Sequence, residues 1–291
     1  MKPSVLLIGG PTGSGKTEAA IAVAERFGAV VLSADAMQVY CGMDIGTAKA
    51  TPEERFRVPH EGIDLVAPDE TFDAADFVRL GDRVIAEHPR VVVAGGTSLY
   101  LRSLVRGLVE TPPVDAALRA RLEALDDPHA ALSTVDPVLA ARLHPHDRVR
   151  IIRGLEVHHQ TGLRLSDLHT EHAHAPDRLE VAALWLDRAD LDDRLDGRVL
   201  AMIDAGYLDE VRTLLEAGFH RELKPMQSLG YRHLCDHWLD GLPLDEAIRR
   251  TQRDTRRFAR KQRNWMRGLA FEKVEHGHVD AALRAAEALW R

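Results

Sequence analysis

Eight consecutive residues, Gly10-Pro11-Thr12-Gly13-Ser14-Gly15-Lys16-Thr17, follow the pattern G-x-x-x-x-G-K-[ST]. Glycines at those positions let successive backbone N–H groups turn inward around phosphate oxygens. A following helix adds the positive end of its dipole, Lys16 reaches the phosphates, and the Thr17 hydroxyl can hold Mg²⁺. The segment reads as a site for a diphosphate or polyphosphate. What happens to the phosphate is decided elsewhere in the chain. An ATPase carries an apolar strand ending in a metal-holding Asp, whereas Val91-Val92-Val93-Ala94 runs into Gly95-Gly96-Thr97. The acid in a comparable place is Asp35, after Val30-Val31-Leu32. It can act as metal holder, general base or strand-end cap, and these residues alone leave the three open. Thr97 can donate to an oxygen of a leaving phosphate or simply close a turn.

A second chemical signal lies near the other end. Between Arg249 and Arg267 stand nine basic residues and one acid, Asp254, in a chain whose formal net charge is −7. Cations at helical spacing neutralise nucleic-acid phosphate, and the interleaved Phe258 and Trp265 offer planes on which unpaired bases stack. A solvated helix face usually alternates in sign, so this segment points to nucleic acid. His169, His172 and His174 fall beside Pro176 without a matching fourth ligand and read as a solvated stretch, not a metal site.

The elements that must hold these groups can be read from the pattern. Val5-Leu6-Leu7-Ile8, Ala29-Val30-Val31-Leu32 and Val91-Val92-Val93-Ala94 are continuous apolar runs, alternating with helical stretches at 17–27 and 77–87. Such runs predict parallel strands buried on both faces, with ligands gathered at their carboxyl ends. The turns at 9–17, 33–38 and 95–100 all belong there. From Thr111-Pro112-Pro113 to about Pro176 the chain is helical in pattern and rich in His and Arg. A further strand is predicted at 179–186, and helices at 191–205, 208–216, 244–266 and 280–290. The expected organisation is an α/β, P-loop NTPase-like parallel sheet flanked by helices, formed by residues 1–112 and 177–291, with an inserted all-helical domain at 113–176. Apolar residues at 45% and charged residues at 29% describe an ordinary globular enzyme. No apolar window is long enough to span a membrane, and the four apolar residues after Ser4 are too few for a secretory signal. Two distant cysteines, Cys41 and Cys235, exclude a disulfide framework and fit a reducing cytoplasm.

Taken together, the motifs resemble the bacterial tRNA dimethylallyltransferases. The resemblance rests on the phosphate loop from Gly9, on Ser33-Ala34-Asp35-Ala36-Met37-Gln38-Val39-Tyr40, and on Met43-Asp44-Ile45-Gly46-Thr47-Ala48-Lys49. It extends through Gly95-Gly96-Thr97, Arg150-Ile151-Ile152-Arg153-Gly154-Leu155-Glu156-Val157, Gly230-Tyr231-Arg232 and Thr255-Arg256-Arg257-Phe258-Ala259-Arg260-Lys261-Gln262. The blocks run in the family's order over nearly the whole chain; the phosphate loop alone is unspecific, while the second and third blocks are close to diagnostic.

The resemblance implies transfer of a dimethylallyl group from its diphosphate to N6 of the adenine 3′-adjacent to the tRNA anticodon, with Mg²⁺ as cofactor. It implies Asp35, Thr97 and Lys16 as catalytic groups, Asp35 taking the amine proton and Thr97 touching the leaving diphosphate. Diphosphate or nucleotide binding falls to Gly10, Pro11, Thr12, Gly13, Ser14, Gly15, Lys16, Thr17 and Arg198, with Arg194 nearby and Thr17 on the metal. Contacts to the anticodon stem-loop are implied for Asp35, Ala36, Met37, Gln38, Thr97, Arg119, Val149, Arg150, Ile151, Ile152 and Arg153. They are implied also for Gln227, Gly230, Tyr231, Arg232, Arg260, Lys261, Gln262, Trp265 and Arg267. The chain departs from the family where Ala36 replaces a usual Ser, where His60-Glu61 replaces a frequent His-His pair, and where Gln227 stands for an Arg. The expected setting is a cytoplasmic monomer without membrane contact. The rival reading is a small-molecule or nucleoside kinase, which uses the phosphate loop and Asp35 but gives the 249–267 segment no role.

Overall fold

Strand β1 (Ser4–Gly9) is apolar at every position from 5 to 8, and the pleat sends alternate side chains to opposite faces. Val5 and Leu7 join one core layer, with Phe77, Val93, Tyr100 and Leu101; Leu6 and Ile8 join another, with Ala19, Ala20, Val92 and Ala282. The strand is thus buried twice, as a parallel strand between two helical layers must be. The computed structural model describes residues 4–265 and 270–291.

From β1 the phosphate loop leads into α1 (Lys16–Phe27), then β2 (Val30–Ser33), α2 (Pro52–Arg57), β3 (His60–Glu61), α3 (Ala74–Glu87), β4 (Arg90–Gly95) and α4 (Ser98–Arg106). Helices α5 (Ala116–Glu123), α6 (Pro128–Val135), α7 (Pro137–Arg142), α8 (Arg148–Thr161) and α9 (Leu165–His174) follow. The chain returns through β5 (Val181–Leu186), α10 (Leu191–Asp204), α11 (Tyr207–Glu216), α12 (Tyr231–Asp240), α13 (Leu244–Trp265), β6 (Glu272–Val274) and α14 (His278–Trp290). The described strands form one parallel sheet in the order β3-β2-β4-β1-β5-β6. The parallel α/β class expected from the apolar runs is what the sheet displays. The edge strands β3 and β6 were not predicted, because two or three largely polar residues carry no apolar run.

Two compact units result, Met1–Val105 with Leu179–Arg291, and Arg106–Arg178. In the helical unit, Leu132, Ile151, Leu155 and Val157 are fully or nearly fully buried. Glu156 is fully buried among them and receives Arg119 through two 2.7 Å bonds and Arg153 through one of 3.2 Å. Such a buried carboxylate is tolerated only because both arginines meet it.

In the sheet-bearing unit the 44–46 turn is held by one side chain. Glu210 of α11 accepts from the N–H groups of Asp44 (2.8 Å), Ile45 (2.6 Å) and Gly46 (3.1 Å), and from the Tyr231 hydroxyl at 2.6 Å. Removing that acceptor leaves several donors unmatched, so Glu210→Ala is expected to destabilise the protein by about 2 kcal/mol. A urea midpoint equal to wild type would show that the turn holds its shape without Glu210.

Candidate active site

The phosphate loop joins the carboxyl end of β1 to the amino end of α1. Gly15 caps α1 at φ 95° without any side-chain cap, a left-handed conformation that glycine adopts freely. The first N–H groups of the helix are therefore not claimed by a capping side chain. Lys16 Nζ donates to the Pro11 carbonyl at 2.7 Å. Arg198, from α10, points a guanidinium at the same loop, 3.4 Å from Thr12 Oγ1. Burial pushes the Lys16 ammonium down to about 8; Asp35 opposes that shift and Arg198 adds to it. Burial likewise lowers the Arg198 guanidinium below its ordinary value. Crowded cations with little solvent form a site that gains most from a bound polyanion.

Asp35 and Thr97 come from neighbouring strands, β2 and β4. The pairing Ser33↔Ala94 continues beyond the strands: the Ala34 N–H donates to the Ala94 carbonyl at 2.9 Å, and the Thr97 N–H donates back to the Ala34 carbonyl at 3.2 Å. Gly95 must lack a side chain, since a Cβ there would stand 2.1 Å from that same carbonyl. Thr97 Oγ1 accepts from the Ala36 N–H at 3.0 Å, which leaves the hydroxyl proton to donate elsewhere. Asp35 Oδ1 accepts from the Met37 N–H at 2.8 Å. The turn-capping contact is therefore real, and it engages one carboxylate oxygen.

A cavity of about 690 Å³ is lined by the phosphate loop, Asp35, Ala36, Met37, Gln38, Thr97, Arg194 and Arg198. Its apolar wall is supplied by Leu195, Val199 and Met202 of α10, by Phe258 of α13 and by Leu229. The sequence reading missed this wall. Leu191, Leu195, Val199 and Met202 follow a helical spacing that is indistinguishable from an ordinary core stripe. A cavity that combines anion-binding groups, a carboxylate, a hydroxyl donor and an apolar wall suits a reaction in which an anionic group leaves an apolar fragment. Thr17 lines it too, and is exposed. Among the described residues no group of three or more His, Cys, Asp or Glu could cage a metal. The exposed Thr17 hydroxyl is a donor that suits an ion arriving with phosphate.

The residues expected at RNA divide sharply. Gln38 lines the cavity, but its amide already spans the Ser33 hydroxyl (2.7 Å) and the Thr47 and Ala48 carbonyls (3.2 Å each). Gln227 and Arg232 also line the cavity. Tyr231 is fully buried, packed edge-on against Tyr207 with 5.0 Å between centroids, and its hydroxyl is held by Glu210; it supports the cavity as scaffold. Gly230, at φ 80°, begins α12 against the Tyr207 ring. In the helical unit, Val149 is 81% exposed and Arg150 is exposed beside Asp147. Ile151 and Ile152, by contrast, are core residues, so side-chain contact with RNA is corrected for both. They occupy the inner face of α8, where the helical repeat turns apolar side chains inward. Arg119 and Arg153 are engaged by Glu156, and Arg153 also donates to Thr111 Oγ1 and the Pro112 carbonyl at 2.7 Å each.

The arginines of the basic segment meet carboxylates, some from its own helix and some from other elements. Arg249 and Arg250 pair with Asp245 and Glu246, Arg253 and Arg257 with Asp254. Arg256, Arg260 and Arg263 pair with Asp196, Asp192 and Asp187. Counting acids within the segment hid the carboxylates that α10 and the end of β5 bring beside it. Exposed pairs such as Arg260–Asp192, at 3.1 Å, hold weakly and can exchange partners with phosphate. Lys261 is exposed. Gln262 lines the same cavity, 3% exposed, with both ends of its amide bonded within the protein. Arg267 lies outside the described residues, as does the side chain of Trp265.

Comparison with known proteins agrees in kind. The sequence model of the IPP transferase family matches residues 38–269, and that of isopentenyl transferase matches residues 3–59. A tRNA dimethylallyltransferase of Geotalea uraniireducens is 45% identical over 277 residues, covering 91% of this chain and 89% of its own. The crystal structure of the tRNA delta(2)-isopentenylpyrophosphate transferase of Staphylococcus epidermidis superposes with a TM-score of 0.71 at 29% identity, covering 99% of this chain and 97% of the other. A eukaryotic dimethylallyltransferase acting on tRNA gives 0.81 at 28% identity, covering 91% of this chain and 70% of its own.

The ammonium of Lys16 must be present to meet an anion. Below about pH 8 it is charged; above that value the folded protein releases a proton that an unfolded chain would hold until 10.5. The affinity for inorganic pyrophosphate, taken relative to Lys16→Arg, should therefore fall as pH rises past about 8, approaching about tenfold per pH unit. Calorimetric titration from pH 7 to 10 measures this, and a ratio independent of pH would contradict the assigned role of Lys16.

Proposed function

The chain belongs to the tRNA dimethylallyltransferases of the IPP transferase family, and from that premise we propose that it prenylates N6 of the adenine just 3′ of the tRNA anticodon, with dimethylallyl diphosphate as donor. The observation that carries this reading is a cavity holding together a phosphate loop, Asp35, Thr97 and an apolar wall. An adenine amine is a poor nucleophile, because its lone pair is delocalised into the ring. Reaction at the allylic carbon therefore needs the diphosphate to leave whole while positive charge builds on the allyl group. The N6–carbon bond forms as the carbon–oxygen bond to diphosphate breaks, the electron pair leaving on oxygen. The phosphate loop, Lys16 and Arg198 bind that charge, and the Thr97 hydroxyl donates to the leaving oxygen. Asp35 holds the amine and takes its proton. The wall of Leu195, Val199, Met202 and Phe258 shelters the allyl group from water.

The Thr17 hydroxyl would hold Mg²⁺ alongside the diphosphate, where the ion would supply further charge neutralisation. The anticodon stem-loop presents its adenine unstacked, as enzymes acting on a base require. Among the described residues, Val149 and Arg150 of the helical unit and Arg260 and Lys261 of α13 are exposed groups available to it. The kinase reading is not favoured, because the family is one of prenyl transfer. The setting we propose is the cytoplasm, with the protein acting as a monomer. Cys41 and Cys235 are free thiols, and among the described residues no helix is long and apolar enough to cross a membrane.

Asp35→Asn keeps the shape but loses the base. Its single-turnover transfer rate should fall by at least about 10²-fold while tRNA affinity stays within about threefold. An unchanged rate would remove Asp35 from proton transfer. In filter binding, Arg260→Ala with Lys261→Ala should flatten the dependence of tRNA affinity on salt by about one to two units of slope. A slope equal to wild type would make that end of α13 structural.

A further inference from the structure

Gln262, three residues before the end of α13, joins two loops far from it in sequence. Its Oε1 accepts from the Thr12 N–H of the phosphate loop at 2.9 Å, and its Nε2 donates to the Gly96 carbonyl at 3.0 Å. The orientation of the amide is fixed by chemistry: a backbone N–H can only donate and a carbonyl can only accept. Gly96 is shaped around it, since a Cβ there would lie 2.3 Å from Gln262 Nε2 and 3.3 Å from the Gly10 carbonyl. The two loops carry different tasks. Thr12 stands beside Arg198 on the anion side, and Gly96 precedes Thr97, whose hydroxyl receives the Ala36 N–H. The helix that supplies Gln262 is itself fastened at the next residue, where Arg263 grips both oxygens of Asp187 and the Arg188 carbonyl at 2.7–3.0 Å.

We propose that Gln262 is a positioning residue that sets the separation of the phosphate loop from the Thr97 turn, and so aligns the leaving diphosphate with the Thr97 hydroxyl. This rests on the prenyl-transfer reading for its effect on rate, but the effect on anion binding stands apart from it. Because the bridge needs one acceptor and one donor, Glu can replace Gln only when its carboxyl is protonated. In a Gln262→Glu variant the ionised carboxylate offers a lone pair to the Gly96 carbonyl where a donor is required, and burial raises the pH at which such a carboxyl ionises.

The test compares wild type, Gln262→Glu and Gln262→Met, each as the full chain, from pH 6 to 8.5. Two quantities are read: single-turnover transfer from dimethylallyl diphosphate to unmodified tRNA, and affinity for inorganic pyrophosphate. For Gln262→Glu the ratio to wild type should be lower by about tenfold or more at pH 8.5 and rise toward unity at pH 6, in both measurements. Gln262→Met, of similar volume but without the bridge, should be impaired to a similar degree at every pH, with tRNA affinity within about threefold of wild type. A merely structural side chain does not produce a defect that protonation repairs. Ratios near unity for Met, or a Glu ratio that does not change with pH, would overturn the assignment. Wild-type protein that binds pyrophosphate but transfers no prenyl group would contradict the proposed function, and the pyrophosphate ratios would still decide the role of Gln262.

Discussion

The site depends on the parallel pairing of β2 with β4 and its continuation beyond the strand ends. Ala34 donates to Ala94 and accepts from Thr97, and the Thr97 side chain then accepts from Ala36. These backbone bonds fix the turn that carries Asp35 against the turn that carries Thr97, before any side-chain packing is considered. Gly95 permits the approach, because a Cβ would fall 2.1 Å from the Ala34 carbonyl. The phosphate loop leaves β1, the next strand in the sheet, at the same end. The proposed proton acceptor, the proposed leaving-group donor and the phosphate loop are thus held by adjacent strands of one rigid, doubly buried sheet, which is the preorganisation that electrostatic catalysis requires.

Charge in this unit is arranged around burial. Lys16 and Arg198 are desolvated beside Asp35, so each is held in a state that a diphosphate relieves. The arginines of α13 are arranged differently, each meeting a carboxylate across a more exposed surface. Asp254 is the extreme case: Arg253, His233 and Arg232 surround it and hold its carboxyl far below the usual range. The helix therefore meets its neighbours through charges as well as through its apolar face. Among the described residues, the looser pairs and the exposed Lys261 remain for a polyanion, a smaller surface than the composition of that stretch suggests.

The sequence carried the local parts of this account well. A phosphate loop is contiguous, and Asp35 and Thr97 each follow an apolar run that marks its strand, so the fold class and the gathering of these turns at one end of the sheet were readable from short windows. The parts that escaped are non-local. The apolar wall draws on α10, α13 and Leu229, and its helical spacing looks like a core. The carboxylates that meet Arg256 and Arg260 lie sixty or more residues away in sequence. Gln262 reaches across 250 residues to Thr12, which no pattern in its own helix announces. Ile151 and Ile152 went the other way: their neighbours Val149 and Arg150 are exposed, and only the packing of α8 distinguishes them. The edge strands are too short and too polar to be marked by composition.

Transfer of an allyl group to RNA, with no nucleotide cleaved, is the activity proposed for this cavity. Incubating the purified protein with Mg²⁺, dimethylallyl diphosphate and unmodified tRNA, then analysing the digested nucleosides by mass spectrometry, tests it directly. The expected products are N6-dimethylallyl adenosine and an equal amount of released diphosphate, with no such nucleoside when ATP replaces the allylic donor. Unmodified tRNA, together with ATP turnover on a small-molecule acceptor, would contradict it.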